Sequence, residues 1–180
     1  MMQELVLTVI ARDRPGLIKV LSETIANQSG NWIDSSMARL GGEFAGILRV
    51  SAPADNIGDL EAALGALGDA GIWVTIRRGH QQQQPAGRHV KVALTGVDHP
   101  GIIREVSAAL AQLDISIDEL SSRVFAGSMS GEAMFEAHAD IVLPPGLDES
   151  RLRDALEDIA EDVMVDIDLG RTEPQAASAR

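Results

Sequence analysis

Apolar and polar positions alternate at the start of the chain. Leu5, Leu7 and Val9 fall on one side and Val6, Thr8 and Ile10 on the other, which predicts a strand with one face buried. The period then changes. Leu17, Ile18, Leu21 and Ile25 recur at three-to-four spacing and predict a helix opened by Pro15-Gly16 and followed by Gly30. Trp32 to Leu40 and Phe44 to Val50 read as two strands joined through Gly41-Gly42. Asn56 is the expected cap of a second helix with a core stripe of Leu60, Ala63, Leu64 and Leu67, and Ile72, Val74 and Ile76 alternate in a last strand.

The pattern then repeats. Asp13-Arg14-Pro15-Gly16 recurs 85 residues later as Asp98-His99-Pro100-Gly101. At the same offset Ile18 meets Ile103, Ser22 meets Ser107, Ala26 meets Ala111 and Ser36 meets Ser121, while Leu5, Leu7 and Val9 fall on Val90, Val92 and Leu94. This is an internal duplication. The second copy predicts a strand over 90–94 and a helix with Ile103, Val106, Leu110 and Leu113. Strands follow near 116–125 and 132–142, then a helix with Leu152, Leu156, Ile159 and Val163 and a strand over 165–169.

The order β-α-β-β-α-β, twice, defines an α+β chain of two ferredoxin-like modules. Right-handed crossovers place both helices of each on one face of a four-stranded antiparallel sheet. The modules are expected over 1–78 and 88–170, with a polar linker at 79–87 that includes Gln81 to Gln84, and a disordered tail at 171–180. Each copy is small and has open sheet edges, so the two are expected to associate side by side, within one chain or in a homodimer.

Composition narrows the function. With 15 basic and 27 acidic residues the chain of 180 carries a net charge of −12, which opposes direct contact with nucleic-acid phosphate. The charge is uneven: residues 1–80 hold 7 basic and 9 acidic side chains, and 88–180 hold 8 and 18, so a basic protein partner should favour the second module. The absence of cysteine removes thiol catalysis and thiolate metal sites, and favours a cytoplasmic setting. Met1-Met2-Gln3-Glu4 lacks the basic start of a signal peptide, and no run approaches the ~20 apolar residues of a membrane span. The aromatic residues, Trp32, Phe44, Trp73, Phe125 and Phe135, lie in strands with apolar neighbours and are expected in the cores.

A strand, then Asp-x-Pro-Gly, a helix and an Asn soon after it, all within a β-α-β-β-α-β unit, resembles the ACT domain, a regulatory module that binds amino acids. The resemblance covers Leu5 to about Leu169 in two copies. A tandem pair without a catalytic or DNA-binding domain is similar to the glycine cleavage system transcriptional repressor family, whose members act by contacting a DNA-binding activator. The segment Asn31 to Phe44 carries most of that likeness. The resemblance implies a ligand site, at an interface between two modules, formed from Asp13, Arg14, Pro15, Gly16 and Asn31 and from Asp98, His99, Pro100 and Gly101. It also implies a protein partner, either a DNA-binding regulator or an enzyme. The regulatory small subunit of acetohydroxyacid synthase, also built on ACT-like modules, stands for the second alternative; a ligand-free interaction scaffold is the third.

The motif's chemistry fits a free amino acid. Backbone N–H groups at a strand-to-helix turn attract a carboxylate, glycine lets it approach, and an aspartate can receive its ammonium group. Asn31 offers both a donor and an acceptor, whereas Ser116 stands at its place in copy two and weakens that site. The alternative, that Asp13 and Asp98 cap helices and Pro-Gly only shapes the turn, stays open. His80, His89, His99 and His138 form no close pair, which argues against a metal. Gly127-Ser128-Met129-Ser130-Gly131 lacks serine at the middle position of a nucleophile elbow and reads as a hairpin loop. Without paired acid-base groups, phosphate loop or dinucleotide glycines, neither enzyme activity nor a cofactor is expected.

Overall fold

The computed structural model describes residues 1–78, 87–127 and 131–171. The chain divides into two compact units, 1–82 and 83–180. The first contains β1 (Met2–Arg12), α1 (Leu17–Asn27), β2 (Asn31–Leu40), β3 (Glu43–Pro53), α2 (Ile57–Ala66, flanked by short 3-10 turns at 54–56 and 67–70) and β4 (Ile72–Arg78). The second contains β5 (Arg88–Val97), α3 (Ile102–Gln112), β6 (Ser116–Ala126), β7 (Ala133–Leu143), α4 (Glu149–Val163) and β8 (Val165–Arg171).

Each unit holds one four-stranded antiparallel sheet, ordered β2-β3-β1-β4 in the first and β6-β7-β5-β8 in the second. These are two ferredoxin-type modules, as the order of elements read from the alternation predicted. The expected linker lies outside the described residues apart from Gly87, and so does the expected tail apart from Arg171, the end of β8.

The period-two pattern places the cores. Leu5, Leu7 and Val9 of β1 are fully buried, as are Leu48, Val50 and Ala52 of β3, and they receive Leu17, Leu21 and Ile25 of α1 and Ile57, Leu60 and Leu64 of α2. Val90, Val92 and Leu94 of β5 receive Ile102, Val106, Leu110, Leu152 and Leu156 in the same way. Both first helices start one residue after a glycine in the left-handed region, Gly16 at φ 93° and Gly101 at φ 111°, where a side chain is strained.

Several expectations change. Ile18 and Ile103 are 53% and 36% exposed. The helices begin at Leu17 and Ile102, so the buried stripe runs through Leu17, Leu21 and Ile25 and turns the next position outward. Asn56 makes no cap; its Nδ2 donates to the Gln28 carbonyl at 3.1 Å and ties α2 to the end of α1. Asp148 is the side chain that caps, accepting from the Ser150 N–H at 3.2 Å at the start of α4. Phe44 and Phe135 are core residues as expected, but Trp73 is 58% and Phe125 38% exposed. Trp73 sits on the outward positions of β4, alternating with inward Ile72 and Val74, so its strand neighbours misled about its own face. The loop read at 127–131 does join two paired strands, with the Gly127 N–H donating to the Glu132 carbonyl, while 128–130 lie outside the described residues.

Candidate functional site

The first Asp-x-Pro-Gly turn leaves β1 at Arg12. The Asp13 N–H donates to the Gly42 carbonyl at 3.0 Å, which fastens the turn to the β2-β3 hairpin, and the Gly16 carbonyl accepts from Val20 at 3.0 Å as the first bond of α1. Leu17, Ile18 and Lys19 therefore present N–H groups with no partner inside the helix, at its positive end.

Beside them opens a cleft of about 410 Å³ whose walls include Asp13, Gly16, Ile18, Lys19, Arg39 and Phe44. Arg39 comes from β2, where it lies opposite Phe44 on the helix side of the sheet. Its Nη1 is 3.2 Å from Asp13 Oδ2 and its side chain is mostly exposed. Lys19, on α1, is 3.7 Å from Glu23 and lies at the same rim. One cleft thus combines a carboxylate, two cations and a helix N-terminus. Arg39 and Lys19 were not among the residues singled out from the sequence. A bulge between Trp32 and Asp34 breaks the alternation of β2, so the side on which Arg39 falls is set by pairing to β3.

Pro15 and Gly16 line the cleft as expected, and Asp13 reaches it but caps nothing: no side chain caps α1. Arg14 reaches instead across the module, its Nη2 donating to the Ala70 carbonyl at 2.6 Å just beyond α2. Asn31 stands elsewhere. It pairs with Ser51, which pairs in turn opposite Glu4, nine residues before Asp13. At about 3.3 Å per residue, that is roughly 30 Å along the sheet.

The second turn repeats the backbone but not the charges. The Asp98 N–H donates to the Ala133 carbonyl at 2.8 Å and Glu105 N–H to Gly101. The residue opposite Phe135, where β2 carries Arg39, is Val124, and Arg104 is paired with its neighbour Glu105. Pro100 shapes the turn as Pro15 does. His99 takes the place of Arg14 and makes the matching link: its Nε2 donates to the Val163 carbonyl at 2.6 Å, in the last turn of α4, and its Nδ1 lies 3.3 Å from the Pro100 carbonyl. Both ring nitrogens face acceptors, so the doubly protonated ring satisfies both. The bond to Val163, then that to Pro100, raises the His99 pKa, with a smaller contribution from Asp98 and partial burial opposing it.

Among the described residues no group of three or more His, Cys, Asp or Glu converges as a metal site, and no helix is long and apolar enough to cross a membrane.

A family model of the ACT domain matches residues 3–70. The glycine cleavage system transcriptional repressor of Escherichia coli K12 is 24% identical over 155 residues, 85% of this chain and 82% of that protein. A crystal structure of a protein of unknown function from Galdieria sulphuraria is 30% identical, covers 96% of this chain and all of its own, and superposes with a TM-score of 0.82. A second, provisionally assigned as a glycine cleavage system transcriptional repressor, is 24% identical over 94% of this chain and 97% of its own, with a TM-score of 0.71. The first module thus matches the ACT-domain family, and the chain as a whole, two like modules with a duplicated turn, is similar to the glycine cleavage system transcriptional repressors.

Proposed function

We propose that the chain is an amino-acid-responsive regulatory protein that acts through contact with another protein, in transcriptional control of glycine cleavage metabolism. The observation that carries this reading is the pairing of Asp13 and Arg39 beside the N-terminus of α1. A free amino acid carries the same two charges. Its carboxylate can take Arg39 and the N–H groups of Leu17 to Lys19, while its ammonium takes Asp13 as Arg39 releases it. An exposed ion pair of this kind contributes on the order of 1 kcal/mol or less, so exchanging it for a ligand costs little.

Module one is the binding module on this reading, because Val124 leaves module two without the counterpart of Arg39. Asn31 is too far along its own sheet to touch a ligand at Asp13, so it takes part only when presented by a second module. The role is regulatory, with the effect on transcription passing through a partner protein in the cytoplasm.

A thermal-shift and calorimetric screen of glycine, serine and the other common amino acids tests the reading. A ligand bound by the folded state alone stabilises it by about 2.7 kcal/mol at a hundredfold excess over Kd. Silence across the whole screen favours the ligand-free scaffold. Binding accompanied by recovery of an amino-acid biosynthetic enzyme in a pull-down favours the enzyme-subunit alternative.

A further inference from the structure

The face of the second sheet turned away from α3 and α4 holds charges that its own module leaves unpaired. The register sets Glu119, Asp140, Lys91 and Gly170 in one row across it, then Ser121, His138, Ala93 and Asp168, then Arg123, Glu136, Thr95 and Asp166. Five carboxylates in these rows face two cations, Lys91 and Arg123. Arg123 is taken by Glu136, which also lies 3.7 Å from His138 Nε2. Glu119, Asp140, Asp166 and Asp168 have no ion pair among the described residues, and neither has Lys91.

Two of these carboxylates are set against each other. Glu119 and Asp140 are direct partners across β6 and β7, and like charges so placed work against the sheet. Module one fills the same position with Asp34 and Arg49, an ion pair at 2.8 Å. On the last strand, Asp166 and Asp168 stand where module one has Trp73 and Thr75. The backbone thus accommodates a paired or neutral row, and the negative face of module two is a property of its sequence that its own folding does not call for.

Shape and charge select the occupant. A cleft of about 420 Å³ lies between the rows, floored by Ala93 and Gly170 and ringed by the longer Glu119, Asp140 and Asp168. Beyond Arg123, whose guanidinium sits 5.1 Å from the Phe125 ring centroid, Phe125, Met134 and Val97 form an apolar row at one end of the face. Nucleic acid and anionic lipid are repelled here, whereas a cation relieves the opposition of Glu119 and Asp140. An extended chain repeats its alternate side chains every ~7 Å, the interval between Asp166 and Asp168 and between successive rows. The other acidic surface, α4, carries Arg151 and Arg153 among its carboxylates and no large exposed apolar residue between Glu149 and Val163.

We propose that this face docks an extended segment of another protein, which lays lysine or arginine at alternate positions over the carboxylate rows and an apolar side chain over Phe125 and Val97. The proposal rests on the reading above that the chain acts through contact with another protein.

The test titrates the full chain, labelled with nitrogen-15, with the peptide Lys-Ser-Lys-Ser-Lys-Ser-Leu and follows amide shifts by NMR. The amides of Ala93, Ser121, His138 and Asp168 should move, and binding should fade as sodium chloride rises from about 0.05 M to 0.5 M. Glu119→Gln with Asp140→Asn should weaken binding about tenfold, two exposed charge contacts at their usual strength, and so should Asp166→Asn with Asp168→Asn. Asp154→Asn with Asp158→Asn on α4 removes the same charge and should leave it within about twofold. Exchanging the peptide's leucine for serine should weaken it as well. At low salt, Glu119→Gln with Asp140→Asn should also raise the melting temperature; a fall means that the module satisfies these carboxylates itself and overturns the proposal. No binding, or binding that both face variants leave intact, overturns it too. Spermine binding as tightly as the peptide does the same, by making the face a site for small polycations. A partner whose capture survives both face variants overturns this surface while leaving regulation through protein contact in place, and the amino-acid screen reads module one separately.

Discussion

His99 and Arg14 occupy the same place in the two copies and perform the same task, linking the Asp-x-Pro-Gly turn to the end of the module's second helix. A helix C-terminus gathers unsatisfied carbonyls and partial negative charge, so a cation docked there is favourable. Arginine as a residue type keeps its charge across the accessible pH range, whereas histidine does not. The His99 pKa is raised in the folded state, first by the Val163 carbonyl and then by Pro100, so protonation stabilises the fold. That contribution is fully present below the unfolded value near 6.5 and is lost as pH rises through the higher folded value. Module two should therefore lose stability on going from about pH 6 to pH 8. His99→Arg should remove that dependence, which denaturant melts at the two pH values would show; an unchanged slope counts against the link. At the same scale, Arg39→Ala should weaken amino-acid binding by roughly 1–3 kcal/mol with no loss of fold, the usual effect of removing a bond to a charged group. Undiminished affinity by calorimetry moves the site away from the cleft.

Glycine marks where elements touch. A Cβ on Gly46 of β3 would lie 2.4 Å from the Met37 side chain and 2.7 Å from the Ser36 carbonyl of β2, whereas one on Gly58 of α2 meets nothing within 4 Å. Gly46→Ala should push β2 off β3 and destabilise module one by about 1–3 kcal/mol, the range of overpacking, while Gly58→Ala should stabilise by about 0.5–1 kcal/mol through helix propensity. Chemical denaturation of the pair checks both signs. The elements themselves were legible because each strand and helix buries one face, and the period of burial is written in Leu5-Leu7-Val9 and Leu17-Leu21-Ile25. Their long-range partners were not. Arg14 meets a carbonyl 56 residues away and His99 one 64 residues away, contacts that no local period encodes. Asn56 carried a capping signal and stands at the N-cap position of α2, but the 3-10 turn at 54–56 gives it a helical backbone and its side chain donates to the Gln28 carbonyl instead of capping. The Asp-x-Pro-Gly turns were recognisable from their repetition, 85 residues apart, in matched context. Arg39 joined them only through the register of β2 on β3, which the bulge at Trp32 conceals.

The molecule as a whole carries its negative charge mostly in the second unit, and the acidic surface of α4, with Asp154, Glu157, Asp158, Glu161 and Asp162, is one source of it. A gel-shift titration of the purified protein against duplex DNA at low salt, where even weak phosphate contacts are exaggerated, should show no retarded band. A shifted band would restore direct DNA contact to the function. Each unit encloses its own apolar cluster, Leu21 in one and Leu110 in the other. Leu21→Ala should cost about 2–5 kcal/mol in the first unit, and calorimetry should show a lowered transition for that unit beside an unchanged one for the second. Both transitions falling together would mean that the units melt as one.

The strand order also sets a schedule for synthesis. In each sheet the first strand made is an inner one: β1 lies between β3 and β4, and β5 between β7 and β8. As the chain leaves the ribosome at about 5–20 residues per second, β1 must wait unpaired until β3 emerges and keeps an open edge until β4 follows. A chain stopped before Ile72 presents that edge, with Leu5, Leu7 and Val9 half covered, to any neighbouring nascent chain. Premature termination within the first copy is thus an aggregation hazard, which ends once Arg78 has left the ribosome and all four strands of the sheet are available to pair.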